Sequence, residues 1–151
     1  MMRLLTWFIL LPVLALAQVE PGYQHFYNLE FPEALAAFRA EVAANPNSPD
    51  AYNHVAQTIL YREMFRSGAL ESELVTGSNP FLRREGLNVS KTDDQEFQDS
   101  INRALALADV KLKTNPNDLQ AIYAQGVSYG LRGNYHFLVR KASVYALRTR
   151  K

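Results

Sequence analysis

Apolar side chains recur along this chain at three- and four-residue intervals, the period of an amphipathic α-helix. Phe31–Ala44 carries Phe31, Ala34, Leu35, Phe38 and Val42 on one face. Ala51–Arg66 repeats the pattern with Tyr52, Val55, Ala56, Ile59 and Leu60. Gln95–Lys113 does so with Ile101, Ala104 and Ala108, and Leu119–Tyr135 with Ala121, Ile122, Gln125, Gly126 and Tyr129. Within Val19–Leu29, the spacing of Tyr23, Phe26 and Tyr27 predicts a short first helix with Pro21 in its opening turn. The predicted fold class is all-α.

The polar punctuation divides these stretches. Asn45-Pro46-Asn47-Ser48-Pro49-Asp50 and Asn115-Pro116-Asn117-Asp118 each stop one helix and start another. Proline has no N–H to donate and restricts the residue before it, and Asp118 is suited to cap the helix after it. Gly133-Asn134 reads as a further break, with Tyr135 opening a last helix whose stripe is Tyr135, Leu138, Val139, Ala142, Tyr145 and Ala146. Residues 67–94 form an insertion beginning at the end of the helix that closes on Arg66, so that it spans 66–94 at its widest. Gly77-Ser78-Asn79-Pro80 and Arg84-Glu85-Gly86 are turn sequences inside it, and Thr92 with Gln95 fits a capping box for the next helix. An insertion of this length in a compact domain is uncommon and often functional. It is either a packed spacer or a ligand or partner site.

The first 17 residues obey a different logic. Met1-Met2-Arg3 is a short basic start, Leu4–Leu14 is apolar, and Ala15-Leu16-Ala17 is a small-residue exit. This predicts a secretory signal peptide over residues 1–17, cleavage before Gln18, and an exported chain, periplasmic or secreted. The apolar run is too short for a comfortable span, so no stable membrane span is expected after its removal. The helical domain is then residues 18–151.

Composition narrows the chemistry. With no cysteine among 151 residues, disulfides, thiolate metal sites and cysteine nucleophiles are excluded together. Hydrophobic residues at 48% and charged residues at 21% suit a globular chain rather than a disordered one. Leu119–Lys151 holds Arg132, Arg140, Lys141, Arg148, Arg150 and Lys151 and no acid, whereas the acids lie before it. This asymmetry is either a favourable charge at a helix C-terminus or a docking surface, and export makes nucleic acid an unsuitable partner. The three histidines, His25, His54 and His136, show no i, i+4 pairing for a helical metal site. Asp93, Asp94 and Glu96 are explained by the positive end of a helix, without the ligand pattern of a calcium loop. No nucleophile elbow, phosphate loop or dinucleotide fingerprint is present. A non-catalytic protein without metal or cofactor is expected.

These stretches resemble the tetratricopeptide repeat family. FPEALAAFRAEVAANPNS resembles a second helix of a repeat, matching at Phe31, Ala34, Phe38 and Pro46. PDAYNHVAQTIL resembles a first helix, matching at Ala51, Tyr52, Val55 and Ala56. Phe97–Asp118 resembles another second helix at Ile101, Ala104, Ala108 and Pro116. LQAIYAQGVSYGLRGNY resembles another first helix at Ala121, Gly126, Tyr129, Gly133 and Tyr135. Glu41, Lys111, Gln125 and Leu138 depart from the family's usual residues. The resemblance implies an α-α superhelix of antiparallel helix pairs, a solenoid of about two to three repeats, one of them split by the insertion. It implies close helix crossings at Ala34, Ala56, Ala104 and Gly126.

It also implies a protein- or peptide-binding scaffold whose first helices line a concave groove. Groove-facing positions would be Asp50, Asn53, Gln57, Leu60 and Tyr61, with Gln120, Tyr123, Val127, Gly130 and Leu131. The partner-binding set expected from these is Asn53, Gln57, Tyr61, Gln120, Tyr123 and Val127. Their amides would hydrogen-bond an extended peptide and their tyrosines would stack on it. Lysine and arginine are missing from these positions, which disfavours a clamp for peptide carboxylates. The alternative is an accessory protein whose 67–94 insertion carries the site. The C-terminal helix, with apolar residues off its stripe, points to a longer array, a docked partner or self-association.

Overall fold

The computed structural model describes residues 20–70 and 86–140. The signal segment, the centre of the insertion and the last part of the C-terminal stripe lie outside them. Among the described residues there are five helices and no strand, and 79% are helical, as the periodicity predicts. They are α1 (Pro21–Tyr27), α2 (Phe31–Ala44), α3 (Pro49–Arg66), α4 (Lys91–Thr114) and α5 (Leu119–Val139).

Local chemistry sets most of these boundaries. Pro49 comes after the N-cap Ser48, whose Oγ accepts from Ala51 N at 3.4 Å. Asp118 Oδ1 accepts from Ala121 N at 3.0 Å and starts α5 as anticipated. Helix α4 begins before the expected Gln95. Its cap is Ser90, which accepts from Asp93 N at 3.1 Å and donates its hydroxyl to Asp93 Oδ2 at 2.6 Å. The reciprocal pair is therefore Ser90–Asp93, not Thr92–Gln95. Helices α1 and α3 end alike, with Glu30 N bonded to His25 O and Ala69 N to Met64 O, six residues back to one. The left-handed residue in that turn is Gly68 (φ 69°) after α3 but Leu29 (φ 64°) after α1. A leucine there strains the backbone by about 1–2 kcal/mol.

Specific contacts give the relative directions. Glu41 near the end of α2 meets His54 near the start of α3. Arg62 near the end of α3 meets Asp93 at the start of α4. Gln125 on α5 donates to Asp109 on α4, while Tyr135 farther along reaches back to Asp94. Successive helices α2 to α5 are thus antiparallel. Helices α3 and α5 run parallel, joined by Gln120 to Asp50 and by Asn53 to Ala124 and Ser128. Arg39 on α2 grips Glu96 on α4 with two bonds of 2.7 and 2.6 Å.

One apolar cluster fills the centre, including Phe26, Phe31, Phe38, Ile59, Phe97, Ile101 and Tyr135. Ala34, Ala56 and Ala104 have no exposed surface, which fits the close crossings expected of them. Gly126 is different. It is exposed, and a Cβ built there meets nothing within 4 Å. The buried face of α5 is Ala121, Ala124, Ser128, Leu131, Tyr135 and Leu138, so the predicted face of Ile122, Gln125, Gly126 and Tyr129 is displaced from it. Ile122 and Tyr129 are 45% and 50% exposed. Only one side of α5 is covered by described residues, and it is the side toward α3 and α4.

Helix α5 also runs unbroken through Gly133-Asn134. Tyr135 is fully buried, stacks on Phe97 with ring centroids 3.9 Å apart, and donates to Asp94 Oδ1 at 2.8 Å. Continuing the helix places that ring. The gain outweighs the roughly 1 kcal/mol that an interior glycine costs. Within residues 67–94, Leu87 N donates to Leu138 O at 3.0 Å, tying residues 86–90 to the end of α5.

Candidate functional site

Helix α3 meets α1 through ring contacts and α5 through hydrogen bonds, and α3 and α5 carry the expected binding residues. Exposed rings are concentrated there. Tyr27, Tyr123 and Tyr61 are 73%, 70% and 36% exposed. Tyr27 packs edge-on against Phe26 at 5.6 Å, and Phe26 in turn lies 5.4 Å from Tyr61, so α1 and α3 share one aromatic run. Tyr23 stacks on Tyr27 at 6.1 Å. The Tyr23 hydroxyl is pushed up to about 12, first by burial and then by the Glu41 carboxylate, with weaker influences from Tyr27, Glu20 and Tyr123.

The six predicted residues divide. Tyr123 and Gln120 are exposed, Tyr61 borders exposure, and Gln57 and Val127 are half-buried, with Val127 against the core. Gln120 donates to Asp50 Oδ2 at 3.0 Å, which fixes the α5 N-terminus on α3. Asn53 does not face a groove. It is 2% exposed, its Nδ2 donates to Ala124 O at 2.9 Å, and its Oδ1 accepts from Ser128 Oγ at 2.7 Å. Those bonds explain a polar residue at a close parallel crossing, because a buried amide must be satisfied internally. Leu60 and Leu131 are buried for the complementary reason, as part of the apolar core. The resemblance to the repeat family, with the residue's polarity, suggested Asn53. The small partners Ala124 and Ser128, one turn apart on α5, were the available signal for its real role.

Asp93 and Asp94 stand in the first turn of α4, at its positive end as expected, and with Glu96 they also make ion pairs. Each has a cationic partner: Asp93 with Arg62 at 2.7 Å, Asp94 with Arg140 at 3.3 Å, Glu96 with Arg39. Burial pushes Asp93 up, yet the Arg62 guanidinium and the Ser90 hydroxyl outweigh it and hold the carboxyl below its usual range. Asp94 is likewise held down against burial by Tyr135 and Arg140. This network joins α2, α3, α4 and α5 and assigns Arg140, from the basic C-terminal run, a structural role. An open cleft of about 750 Å³ lies along α4, lined by Tyr52, Gln95, Glu96, Asp99 and Arg103 among others. Its lining residues are polar or charged by type, but most of the surface they turn to the cleft is apolar.

One grouping escaped a search for helical histidine pairs. Glu20, Glu41 and His54 come from before α1, from α2 and from α3, and are brought together by packing. No family model, curated protein or solved structure matches the chain.

Proposed function

We propose that this protein is an exported, non-catalytic scaffold of tetratricopeptide type, which captures an extended segment of another protein on the face formed by α1, α3 and α5. The observation that carries the reading is the set of exposed tyrosines, Tyr27, Tyr61 and Tyr123, on helices otherwise fixed by buried contacts. Tyrosine supplies a large apolar area and a polar tip at low conformational cost, the combination favoured in recognition surfaces. Gln57 and Gln120 provide amides beside the rings, and the helices beneath them are held by Asn53 and by the Gln120–Asp50 bond. A rigid support lowers the ordering cost of binding. Antiparallel neighbours, alanines at the crossings, and prolines closing α2 and α4 support the repeat assignment.

Selection of a displayed library of unstructured peptides on the purified chain tests this. Selected peptides should bind the Tyr61→Ala/Tyr123→Ala double variant at least tenfold more weakly, as truncating two central aromatic anchors costs about 2 kcal/mol or more. Helical content and thermal midpoint should stay close to those of the parent. Equal binding by parent and variant would remove the tyrosine face as the site. Asn53→Ala is unsuitable as a probe, because it opens the α3–α5 crossing.

A further inference from the structure

The grouping of Glu20, Glu41 and His54 is independent of the tyrosine face. Each residue offers one ligand atom, and these atoms lie within 4.8 Å of one another. Nδ1 of His54 is 2.8 Å from Glu41 Oε2, and these two side chains are only 15% and 17% exposed. Glu20 is exposed and closes the group from the solvent side. The imidazole is fixed in place, edge-on to Tyr23 at 4.9 Å and tilted against Phe38 at 5.0 Å. Gly22 draws the start of α1, and Glu20 with it, onto α2. A Cβ at Gly22 would stand 2.5 Å from Phe38 Cε1, so only glycine lets the two elements approach this closely.

A hydrogen bond between helices accounts for Glu41 and His54. It does not account for the second carboxylate. Two carboxylates face one imidazole, and among the described residues neither is paired with a lysine or arginine.

We propose that Glu20, Glu41 and His54 form a binding site for one divalent transition-metal ion, for which zinc is the best fit. One imidazole with two carboxylates is a borderline donor set that suits zinc and its neighbours, whereas calcium and magnesium favour oxygen ligands alone. Zinc bonds of about 2.0–2.2 Å place neighbouring donors roughly 3.3 Å apart in a tetrahedron. The Glu41–His54 pair needs to open slightly, and the exposed Glu20 needs to swing inward. The metal takes the Nδ1 lone pair, and the ring proton resides on Nε2. The fourth position faces solvent. Bound there, the ion ties the start of α1 to both α2 and α3.

The test is titration with zinc chloride, monitored by calorimetry, and with cobalt(II), monitored by visible absorption. The protein is the full chain purified after export with a histidine-free tag. One ion per chain should bind, with the cobalt spectrum of a four-coordinate nitrogen–oxygen site. Glu20→Gln and His54→Ala should each weaken binding by about tenfold or more, and His25→Ala should leave it unchanged. Glu20 is exposed, so its variant keeps the test decisive if His54→Ala fails to fold. Absence of saturable one-to-one binding overturns the proposal. So does binding that survives Glu20→Gln or His54→Ala in a folded protein, which would mark an adventitious surface ion.

Discussion

Tyr135→Ala should destabilise the protein by about 3–5 kcal/mol, the range for removing a large buried aromatic side chain. The ring has no exposed surface and stacks on Phe97, also fully buried, at 3.9 Å and 15°. Burial and the Asp94 carboxylate push its hydroxyl up, which favours the protonated form that donates to Asp94. Tyr135→Phe isolates that bond. It should cost about 1–2 kcal/mol, because Asp94 retains Arg140 and a longer contact from Gln98. Denaturant unfolding of the three proteins gives both numbers. Amide exchange should locate the damage at residues 132–139, since nearest-neighbour packing holds the end of α5. A loss below about 1 kcal/mol in the alanine variant would mean that the Phe97–Tyr135 stack is not what carries α5 past Gly133-Asn134.

Leucine at Ala56 and at Gly126 should have opposite effects, although the resemblance to tetratricopeptide repeats gives these positions the same role. Ala56 has no exposed surface and lies inside the apolar cluster. Three added carbons have no space there, and overpacking of this kind costs about 1–3 kcal/mol, sometimes more. Gly126 has nothing within 4 Å of a built Cβ. Leucine there replaces a poor helix former with a good one and should stabilise the chain by up to about 1 kcal/mol. Thermal or denaturant unfolding of both variants checks the signs. A destabilising Gly126→Leu would show that another surface covers this face of α5, by self-association or from residues outside those described. Light scattering of the same sample would tell the two apart.

The parts of the fold that were legible in the sequence are those governed by local chemistry. Pro46 and Pro116 end α2 and α4, Asp118 caps α5, and the Phe31–Ala44 periodicity gives α2 its limits. What was not legible depends on neighbours distant in the chain. Helix α5 is apolar on more than one side, with Ile122, Tyr123 and Tyr129 exposed opposite Ala121, Ala124 and Leu131. Periodicity alone does not select which side is buried when both qualify. Ser90 and Thr92 are both competent caps, and Ser90 wins where Asp93 answers its hydroxyl and pairs with Arg62. Gly133-Asn134 looked like a terminus because the compensating contact, Phe97 with Tyr135, spans two helices. The candidate site divided along the same line. The exposure of Tyr61 and Tyr123 was readable from residue type and position, whereas the burial of Asn53 required Ala124 and Ser128 of another helix. Glu20, Glu41 and His54 share no sequence spacing that would announce them.

Site-specific photo-crosslinking in the source cell tests most directly whether the tyrosine face captures a partner. A photoreactive phenylalanine analogue is placed at Tyr61 or Tyr123, and in parallel at Ala40 of α2 or Ala106 of α4, which are exposed on the other helices. Capture on this face predicts a discrete adduct from the two tyrosine positions and none from the two alanine positions. An adduct from Ala40 or Ala106 alone would contradict it.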